Sequence, residues 1–415
     1  MGTVYKVCEQ NGQREFPAAS KIDVELPALL EKIKRLLPGK TAEPHLWSID
    51  PLKKKFKLTP SIQQGDYKIW KEQVKSALIM AKLAEGTRPS YQAHWKQWAL
   101  FRDNQHKSPF LSGESLQARS ADEDSLLDFV IFLAKVLSLR YGSINQKLFA
   151  IRHGHVAEGY PDPILNRTRL WAAMGGLKRL ENPTKRKYPV TVKMLRWLQN
   201  FLRDGGEYNE FDGIILWGAI CLAFFFLLRA SEYLVQNKSW SRSRVVRGKD
   251  LQFKLNNELC EPEKAEELVV HITQSKTDQY NAGTIRNTFV TKDEICPVRA
   301  LAEIQRIAPQ RFQGEHSNDP LFLKNSGEAV RREEIQHLLE LSAMAFGVNA
   351  DRMGSHSLRI GGATALYHTV QDLEIVKRFG RWKSDAFHGY LWESHEPQRG
   401  LSEGMVRDES SLTVQ

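Results

Sequence analysis

The spacing of apolar residues predicts a chain that is mostly α-helical. From Asp66 to about Leu180, apolar residues recur every three or four positions, which is the period of an amphipathic helix. The acidic residues Asp122-Glu123-Asp124 suit the positive N-terminal end of a helix, so the third helix is predicted to start after them. The four predicted helices are one around Trp70 to Ala81, one starting at Thr87-Arg88-Pro89-Ser90, one after Asp122-Glu123-Asp124, and one around Ile144 to Ile151.

Helical periodicity resumes at Thr191 and is interrupted by one β-rich stretch. There the β-branched residues predict three strands, at Arg244 to Phe253, Leu268 to Thr273 and Thr284 to Val290. The apolar run Ile214 to Leu228 has fifteen residues, fewer than the ~20 that span a bilayer, and it leads into Arg229. It predicts a buried core helix.

These patterns predict two helical units, the second of which carries a small antiparallel sheet. The proline-bounded basic segment Asn182 to Pro189, which contains Lys185, Arg186 and Lys187, has the composition of a linker between them. The predicted division is an irregular arm over 1–60, a first helical unit over 61–182, a second unit with the sheet over 183–400 and a polar tail over 401–415.

Length indicates how many domains the chain can form, and charge indicates which kind of partner it favours. A chain of 415 residues is long enough for two or three domains. Its net charge of +10 and pI near 9.3 favour a polyanionic partner, because each neutralised phosphate releases counterions. Many basic proteins bind no nucleic acid, so charge alone does not decide the partner. In the first unit Lys71, Lys75, Lys147 and Arg152 are predicted to contact DNA, and in the linker Lys185, Arg186 and Lys187.

Cysteine usage predicts neither a metal site nor a disulfide framework. The four cysteines form no C-x-x-C pair and no cluster with histidine. A reduced, intracellular chain is therefore expected. Met1 to Ser20 is polar and has no apolar core of a secretory signal.

Six residues in four local contexts carry chemistry. The contexts are Leu-Leu-Arg-Ala-Ser-Glu, Gln-Ser-Lys-Thr-Asp-Gln, His-Ser-Leu-Arg-Ile-Gly-Gly and Gly-Arg-Trp-Lys-Ser-Asp-Ala-Phe-His-Gly-Tyr. Two arginines, a lysine, a histidine and an indole can together bind a phosphodiester, and a tyrosine beside them can attack it. The residues are Arg229, Lys276, His356, Arg359, Trp382 and Tyr390.

Taken one at a time, the motifs have simpler explanations. Arg229 can form a structural ion pair with Glu232, three residues on. A hairpin lysine is usually a solvated charge, and Lys249 and Lys292 also flank the strands. Tyr390 can be a packing residue, with Tyr367 and Tyr280 as other tyrosines to consider.

The helix that contains His356 and Arg359 has two further features. Gly354-Ser355 offers a helix start, where free N–H groups favour an anion. Gly361 and Gly362 inside the helix each cost about 1 kcal/mol relative to alanine, which indicates close packing against another backbone.

In their order and context the six residues resemble the catalytic set of the tyrosine recombinases, which include the phage integrases. The resemblance covers roughly residues 65–395, and the last motif is most similar to the Crypton and DIRS-type recombinases of eukaryotic mobile elements. It implies a helical core-binding domain followed by an α-rich catalytic domain. It also implies that Arg229 and Arg359, with His356 and Trp382, bind the scissile phosphate and that Tyr390 forms a 3′-phosphotyrosyl link.

The resemblance implies further roles and partners. Lys276 would protonate the leaving 5′ oxygen, Glu232 would support Arg229, and His388 is an alternative donor to Trp382. Double-stranded DNA, a homotetramer on paired sites and a monomer or dimer otherwise are expected, with no metal, ATP or membrane. The expected location is the nucleus for a eukaryotic element and otherwise the cytoplasm. Two alternatives stay open: a DNA-binding protein that has lost catalysis, and a relaxase like the type IB topoisomerases.

Overall fold

The computed structural model describes residues 64–113, 115–183, 185–235, 245–273 and 283–392. The chain divides into two compact units, with the boundary after Pro183. The predicted arm over 1–60 and tail over 401–415 lie outside the described residues. Within the described ranges, no helix is both long and apolar enough to cross a membrane. The same ranges contain no group of three or more His, Cys, Asp or Glu residues that could hold a metal ion.

The first unit is helical around an aromatic core. Trp98 and Phe129 are fully buried and meet edge to face, with ring centroids 5.2 Å apart. The predicted helices at Trp70, Arg88 and Ile144 are confirmed. The α-helices that the structure describes in this unit are α1 Gln64–Ala81, α2 Arg88–Asp103, α3 Leu116–Ile131, α4 Tyr141–Ala157 and α5 Thr168–Leu180, and α3 continues into a π-helical turn, Phe132–Val136.

The predicted start of the third helix was wrong. Helix α3 begins at Leu116, where the Ser115 hydroxyl accepts the N–H of Ala118 at 3.0 Å as an N-cap. The acidic residues expected at its start lie inside the helix and hold other segments instead. Asp122 accepts the N–H of Gly113 and Glu123 that of Leu170, both at 3.0 Å.

The second unit packs helices around a small sheet and includes the predicted core helix, α7. Its elements are α6 Val192–Arg203, α7 Glu210–Phe225, α8 Ala230–Tyr233, β1 Leu251–Leu255, β2 Glu258–Leu259, β3 Glu267–Ile272, β4 Thr284–Phe289, α9 Pro297–Ile307, α10 Arg332–Ala345, α11 His356–Val370, α12 Leu373–Phe379 and a 3-10 turn, Asp385–Tyr390. The mostly α architecture with one antiparallel sheet is confirmed.

The sheet is antiparallel throughout, in the order β2-β1-β3-β4. The second and third predicted strands correspond to β3 and β4. The first was predicted too early: Val245 and Val246 are buried, but the chain then forms a 3-10 turn at Gly248–Asp250 before β1 starts at Leu251. The N–H of Val246 donates to the carbonyl of Glu232 at 2.9 Å, so this segment fixes the end of α8 rather than joining the sheet.

Two glycines let α11 approach other parts of the backbone. A Cβ on Gly361 would stand 2.2 Å from the carbonyl oxygen of Val190, and one on Gly362 would stand 2.1 Å from that of Phe224 at the end of α7. The predicted close packing is confirmed. It places Arg359, which lies on the same helix, beside the end of α7.

Candidate active site

Arg229 and Glu232 form the first part of the site, just beyond the end of α7. Oε1 of Glu232 accepts from Nη1 of Arg229 at 2.8 Å, and Oε2 accepts the backbone N–H of Arg229 at 2.9 Å. Glu232 is 3% exposed and Arg229 is 17% exposed. The predicted pair is confirmed, and it holds a guanidinium at the boundary of the core.

Arg359 lies completely buried, 0% exposed, on the inner side of α11. Its Nη1 donates to the carbonyl of Leu227 and its Nη2 to the carbonyl of Gly380, both at 2.6 Å. Leu227 stands in the left-handed region at φ 50°, which is unusual for a residue other than glycine. The turn after α7 thus points a carbonyl at the guanidinium. Both Nη1 and Nη2 of Arg359 therefore already donate a hydrogen bond to a backbone carbonyl.

Two aromatic rings, those of Trp382 and Tyr390, cover Arg359 and bring the last motif to α11. Its guanidinium carbon lies 4.3 Å from the ring centroid of Trp382 and 5.7 Å from that of Tyr390. The ring of Tyr390 is 5.0 Å from that of Trp382 and 4.8 Å from that of His356. Tyr390 is partly exposed at the end of the 3-10 turn. Trp382 therefore supports the tyrosine, and His356 lies beside it.

Arg381 is a third arginine in this cluster, and the sequence analysis did not single it out. Its Nη2 contacts Oε2 of Glu232 at 2.7 Å, and its side chain is 6% exposed. Nη1 also donates to the carbonyl of Phe226 at 3.2 Å. The backbone of Arg381 is left-handed, at φ 61°. The local sequence shows only a basic residue before Trp382, because the partner carboxylate lies 149 positions away.

The cluster carries more positive than negative charge. The guanidiniums of Arg229 and Arg381 both bind the carboxylate of Glu232, and the nearby guanidinium of Arg359 adds a third positive charge. This excess of positive charge favours an added anion. Burial, followed by the charges of Arg229 and Arg381, lowers the pKa of Arg359 to about 9. Burial, followed by the charges of Arg359 and Arg229, lowers the pKa of His356 to about 4, so its imidazole is neutral at pH 7. A neutral imidazole can donate one hydrogen bond and accept another.

The structure does not join every predicted residue to this cluster. Lys276 and Tyr280 lie outside the described residues. Lys249 donates to Asn318 at 2.6 Å, and Lys292 is exposed. His388 is exposed, with its ring 4.2 Å from that of Phe387.

One of the predicted DNA contacts in the first unit, Lys147, is buried. It is 6% exposed and donates to Gln97, and burial lowers its pKa to about 8. Its contact with DNA stays a prediction that the burial of its side chain disfavours. Arg152 forms an ion pair of 2.6 Å with Asp162. Lys71 and Lys75 are exposed, so their side chains are available to contact the phosphates of a DNA backbone.

The basic linker is bound to the second unit at two of its three positions. Lys187 donates from Nζ to the carbonyls of Asp351 and Met353, at 2.9 and 2.6 Å. Arg186 donates from Nε to the carbonyl of Gly389 at 2.8 Å and from Nη2 to that of Leu391. Lys185 is exposed.

No protein-family model and no curated protein matches the chain. Among solved structures it is similar to the XerH site-specific recombinase bound to a palindromic difH substrate in a post-cleavage complex. The two share 16% identity over 91% of this chain and 93% of that one, with a TM-score of 0.50. The chain has the tyrosine recombinase fold.

Two further structures are similar at lower scores. The Tn1549 transposon integrase in complex with circular intermediate DNA is 14% identical over 80% of this chain and 98% of that one, with a TM-score of 0.47. A lambda integrase dimer bound to a COC′ core site is 14% identical over 79% of this chain and 98% of that one, with a TM-score of 0.44. The tyrosine recombinase fold agrees with the family that the motifs resemble. Membership of the Crypton or DIRS-type branch stays a prediction.

Proposed function

We propose that this protein is a DNA recombinase that cuts and rejoins strands through a covalent link to Tyr390. The observation that carries the proposal is the convergence of His356, Arg359 and Trp382 around that tyrosine, with Arg229 close enough to lower the pKa of both His356 and Arg359. These residues come from segments up to 161 positions apart along the chain. The surplus of guanidinium over carboxylate suits a phosphodiester. The tyrosine recombinase fold supports DNA as the substrate.

The proposed step is a displacement at phosphorus. The Tyr390 hydroxyl loses its proton and its oxygen bonds to the phosphorus, while the bond to the 5′ oxygen breaks and that oxygen takes up a proton. Neutral His356, whose ring lies 4.8 Å from that of Tyr390, would hydrogen-bond to the tyrosine or the phosphate. Arg229 and Arg359 would stabilise the charge that develops on the non-bridging oxygens. By resemblance, Lys276 would supply the proton to the 5′ oxygen.

A second function, DNA binding without cleavage, is favoured by one observation. The Nη1 and Nη2 donors of Arg359 bind the carbonyls of Leu227 and Gly380, and two aromatic rings cover its guanidinium. A phosphate would have to displace these contacts before Arg359 could bind it. A protein that only binds DNA would never need that change.

A covalent-adduct experiment separates the two functions. The purified protein would select the sequence that it protects from a pool of random duplexes, and that sequence would be nicked near the scissile phosphate to trap the adduct. We expect a 3′-linked adduct with the native chain and none with Tyr390→Phe, which loses one oxygen and should still bind DNA. Tyr367→Phe is the matched control and should still form the adduct. Specific binding without any adduct from the native chain would establish the second function.

The wider setting is also proposed. We propose that the chain acts in a mobile element, in the nucleus of a eukaryotic host, as a homotetramer on paired sites. A relaxase like the type IB topoisomerases would use the same covalent step as a monomer. The number of protein copies in the complex with the protected sequence, measured by mass, distinguishes four from one.

A further inference from the structure

The side chain of Arg186 hydrogen-bonds to the backbone on both sides of Tyr390, the candidate nucleophile. Its Nε donates to the carbonyl of Gly389 at 2.8 Å, and its Nη2 donates to the carbonyl of Leu391. Its guanidinium carbon also lies 4.6 Å from the ring centroid of Trp392. The three contacts fix the segment Gly389–Trp392, which contains Tyr390.

The position of Arg186 is itself well defined. The carbonyl of Arg186 accepts from Nε and Nη2 of Arg352, at 2.8 and 2.6 Å. The guanidinium of Arg352 stacks on Tyr188 at 3.8 Å, and the N–H of Tyr188 donates to the carbonyl of Arg352 at 2.9 Å. Arg186 is thus anchored through its backbone, while its exposed side chain reaches the tyrosine segment.

In the arrangement that Arg186 holds, Arg359 is covered and a phosphate cannot reach its guanidinium. With Tyr390 in place, Arg359 is 0% exposed and lies 5.7 Å from the tyrosine ring. Other contacts among the described residues also hold the segment. The carbonyl of Tyr390 and the N–H of Trp392 both bond to the hydroxyl of Thr364, at 3.2 Å, and the N–H of Leu391 donates to the carbonyl of His388 at 3.3 Å. The carbonyl of Trp392 also lies 3.1 Å from Nε2 of His368, and the Trp392 ring packs on Tyr188.

A DNA phosphate would compete directly for Arg186. Backbone carbonyls are neutral acceptors, whereas a phosphate oxygen is charged and forms stronger, often bidentate, bonds with a guanidinium. The neighbouring Lys185 is exposed and would raise the local concentration of phosphate. DNA that reaches the linker can therefore remove both bonds from the tyrosine segment at once.

We infer that Arg186 is a positioning residue that keeps Gly389–Trp392 closed over Arg359 until DNA binds the linker. We call this arrangement the Arg186 latch. Exchange of two carbonyls for a phosphate opens the latch, and Tyr390 and Arg359 then become accessible to the scissile phosphate. The latch rests on the proposed function for its purpose, but its opening by DNA is a structural event that can be measured without cleavage.

Hydrogen exchange of the Leu391 and Trp392 amides in the full chain tests the latch. In the native protein we expect exchange at both to rise about tenfold when a mixed-sequence duplex is added, because their segment is released. Arg186→Ala should show the faster exchange without DNA and no further rise with it. Slower or unchanged exchange in the native protein on adding duplex would overturn the inference, and this arm requires no variant to fold.

Two matched variants separate the latch from simple loss of charge. Lys185→Ala and Arg186→Ala each remove one charge, so each should lower the salt dependence of DNA binding by about one counterion. Only Arg186→Ala should speed exchange at Leu391. Arg186→Lys keeps the charge but not the planar fork, so its exchange without DNA should lie between those of the native chain and Arg186→Ala. Equal exchange in Lys185→Ala and Arg186→Ala would overturn the latch.

The covalent step gives an independent measurement. In single turnover at saturating DNA, Arg186→Ala should form the Tyr390 adduct at least as fast as the native chain. A loss of more than about tenfold would overturn the latch and make Arg186 part of the active arrangement. If the native chain forms no adduct at all, the proposed function fails, while faster exchange on DNA binding would still support the latch.

Discussion

Arg381 and Glu232 form an ion pair of 2.7 Å in which both side chains are more than nine-tenths buried, although Arg381 has a left-handed backbone. Such a backbone costs a residue with a Cβ about 1–2 kcal/mol, and glycine almost nothing. The ion pair and the carbonyl contacts of Arg381 must offset that cost. The fold therefore accepts local strain to place a second guanidinium on Glu232, in addition to that of Arg229.

The strain at Arg381 can be measured by comparing two substitutions. Arg381→Gly and Arg381→Ala both lose the ion pair, but only alanine keeps the cost of the left-handed backbone. We expect Arg381→Gly to be more stable than Arg381→Ala by about 1 kcal/mol in urea unfolding. Both should be less stable than the native chain. Equal stability of the two variants would mean that the backbone relaxes once the side chain is removed.

His356 should make the protein less stable in acid. Its pKa is lowered from 6.5 to about 4 in the folded protein, so between these values the unfolded chain binds more protons than the folded one. Its contribution to stability is complete above about pH 6.5 and is lost as the pH falls toward 4. We expect His356→Asn to flatten this limb of the curve of unfolding free energy against pH.

The comparison with His356→Asn isolates one histidine. His94 and His155 also have pKa values lowered to about 4, mainly by burial, and they remain in both proteins. Their effects therefore cancel in the difference between the curves. Identical curves for the native chain and His356→Asn would contradict a neutral His356 in the site. An NMR titration of the ring gives the pKa directly.

Glycines in two helices should respond in opposite ways to alanine. Gly361→Ala and Gly362→Ala would force a Cβ to within 2.2 and 2.1 Å of backbone carbonyls, so each should destabilise the protein by about 3 kcal/mol or prevent folding. Gly175→Ala and Gly176→Ala in α5 meet no atom within 4 Å and should stabilise by about 0.5–1 kcal/mol. Thermal unfolding of the four variants measures both. A tolerated alanine at Gly362 would show that α11 and α7 can separate.

The effect on DNA binding of replacing a lysine in the first unit should depend on whether that lysine is buried or exposed. Lys147 is buried against Gln97, so Lys147→Met should leave the salt dependence of binding to a mixed-sequence duplex unchanged. Lys71 and Lys75 are exposed, and replacing both by alanine should reduce the number of released counterions by about two if they contact phosphate. Binding isotherms at several salt concentrations check both results. A reduced slope for Lys147→Met would place that side chain at the DNA.

Local patterns were enough to predict several elements of the fold. The apolar run before Arg229, the helix start at Arg88 and the glycines after Arg359 depend on periods and propensities within a few residues. The pairing of Arg229 with Glu232 was also predictable, because three positions separate them. Such features need no knowledge of distant segments.

Other features depend on partners far along the chain. Glu123 lies inside α3 and accepts the N–H of Leu170, so its charge did not mark a helix start. Lys147 is polar by type but buried, because Gln97 offers it an acceptor. Arg381 pairs with a carboxylate 149 positions away. No local period reports such contacts, and all three were therefore missed or misplaced.

Arg186 contacts Gly389 and Leu391, which lie 203 and 205 positions further along the chain. These contacts can therefore form only late in the synthesis of the chain. Domains form in order as they leave the ribosome. A nascent chain that has been translated as far as α12 already contains Arg229, His356 and Arg359, but it has no Tyr390. Under the proposed function, such an unfinished chain lacks the nucleophile and cannot break a strand. DNA cutting would then require a chain whose synthesis has passed Tyr390 and the segment that Arg186 contacts.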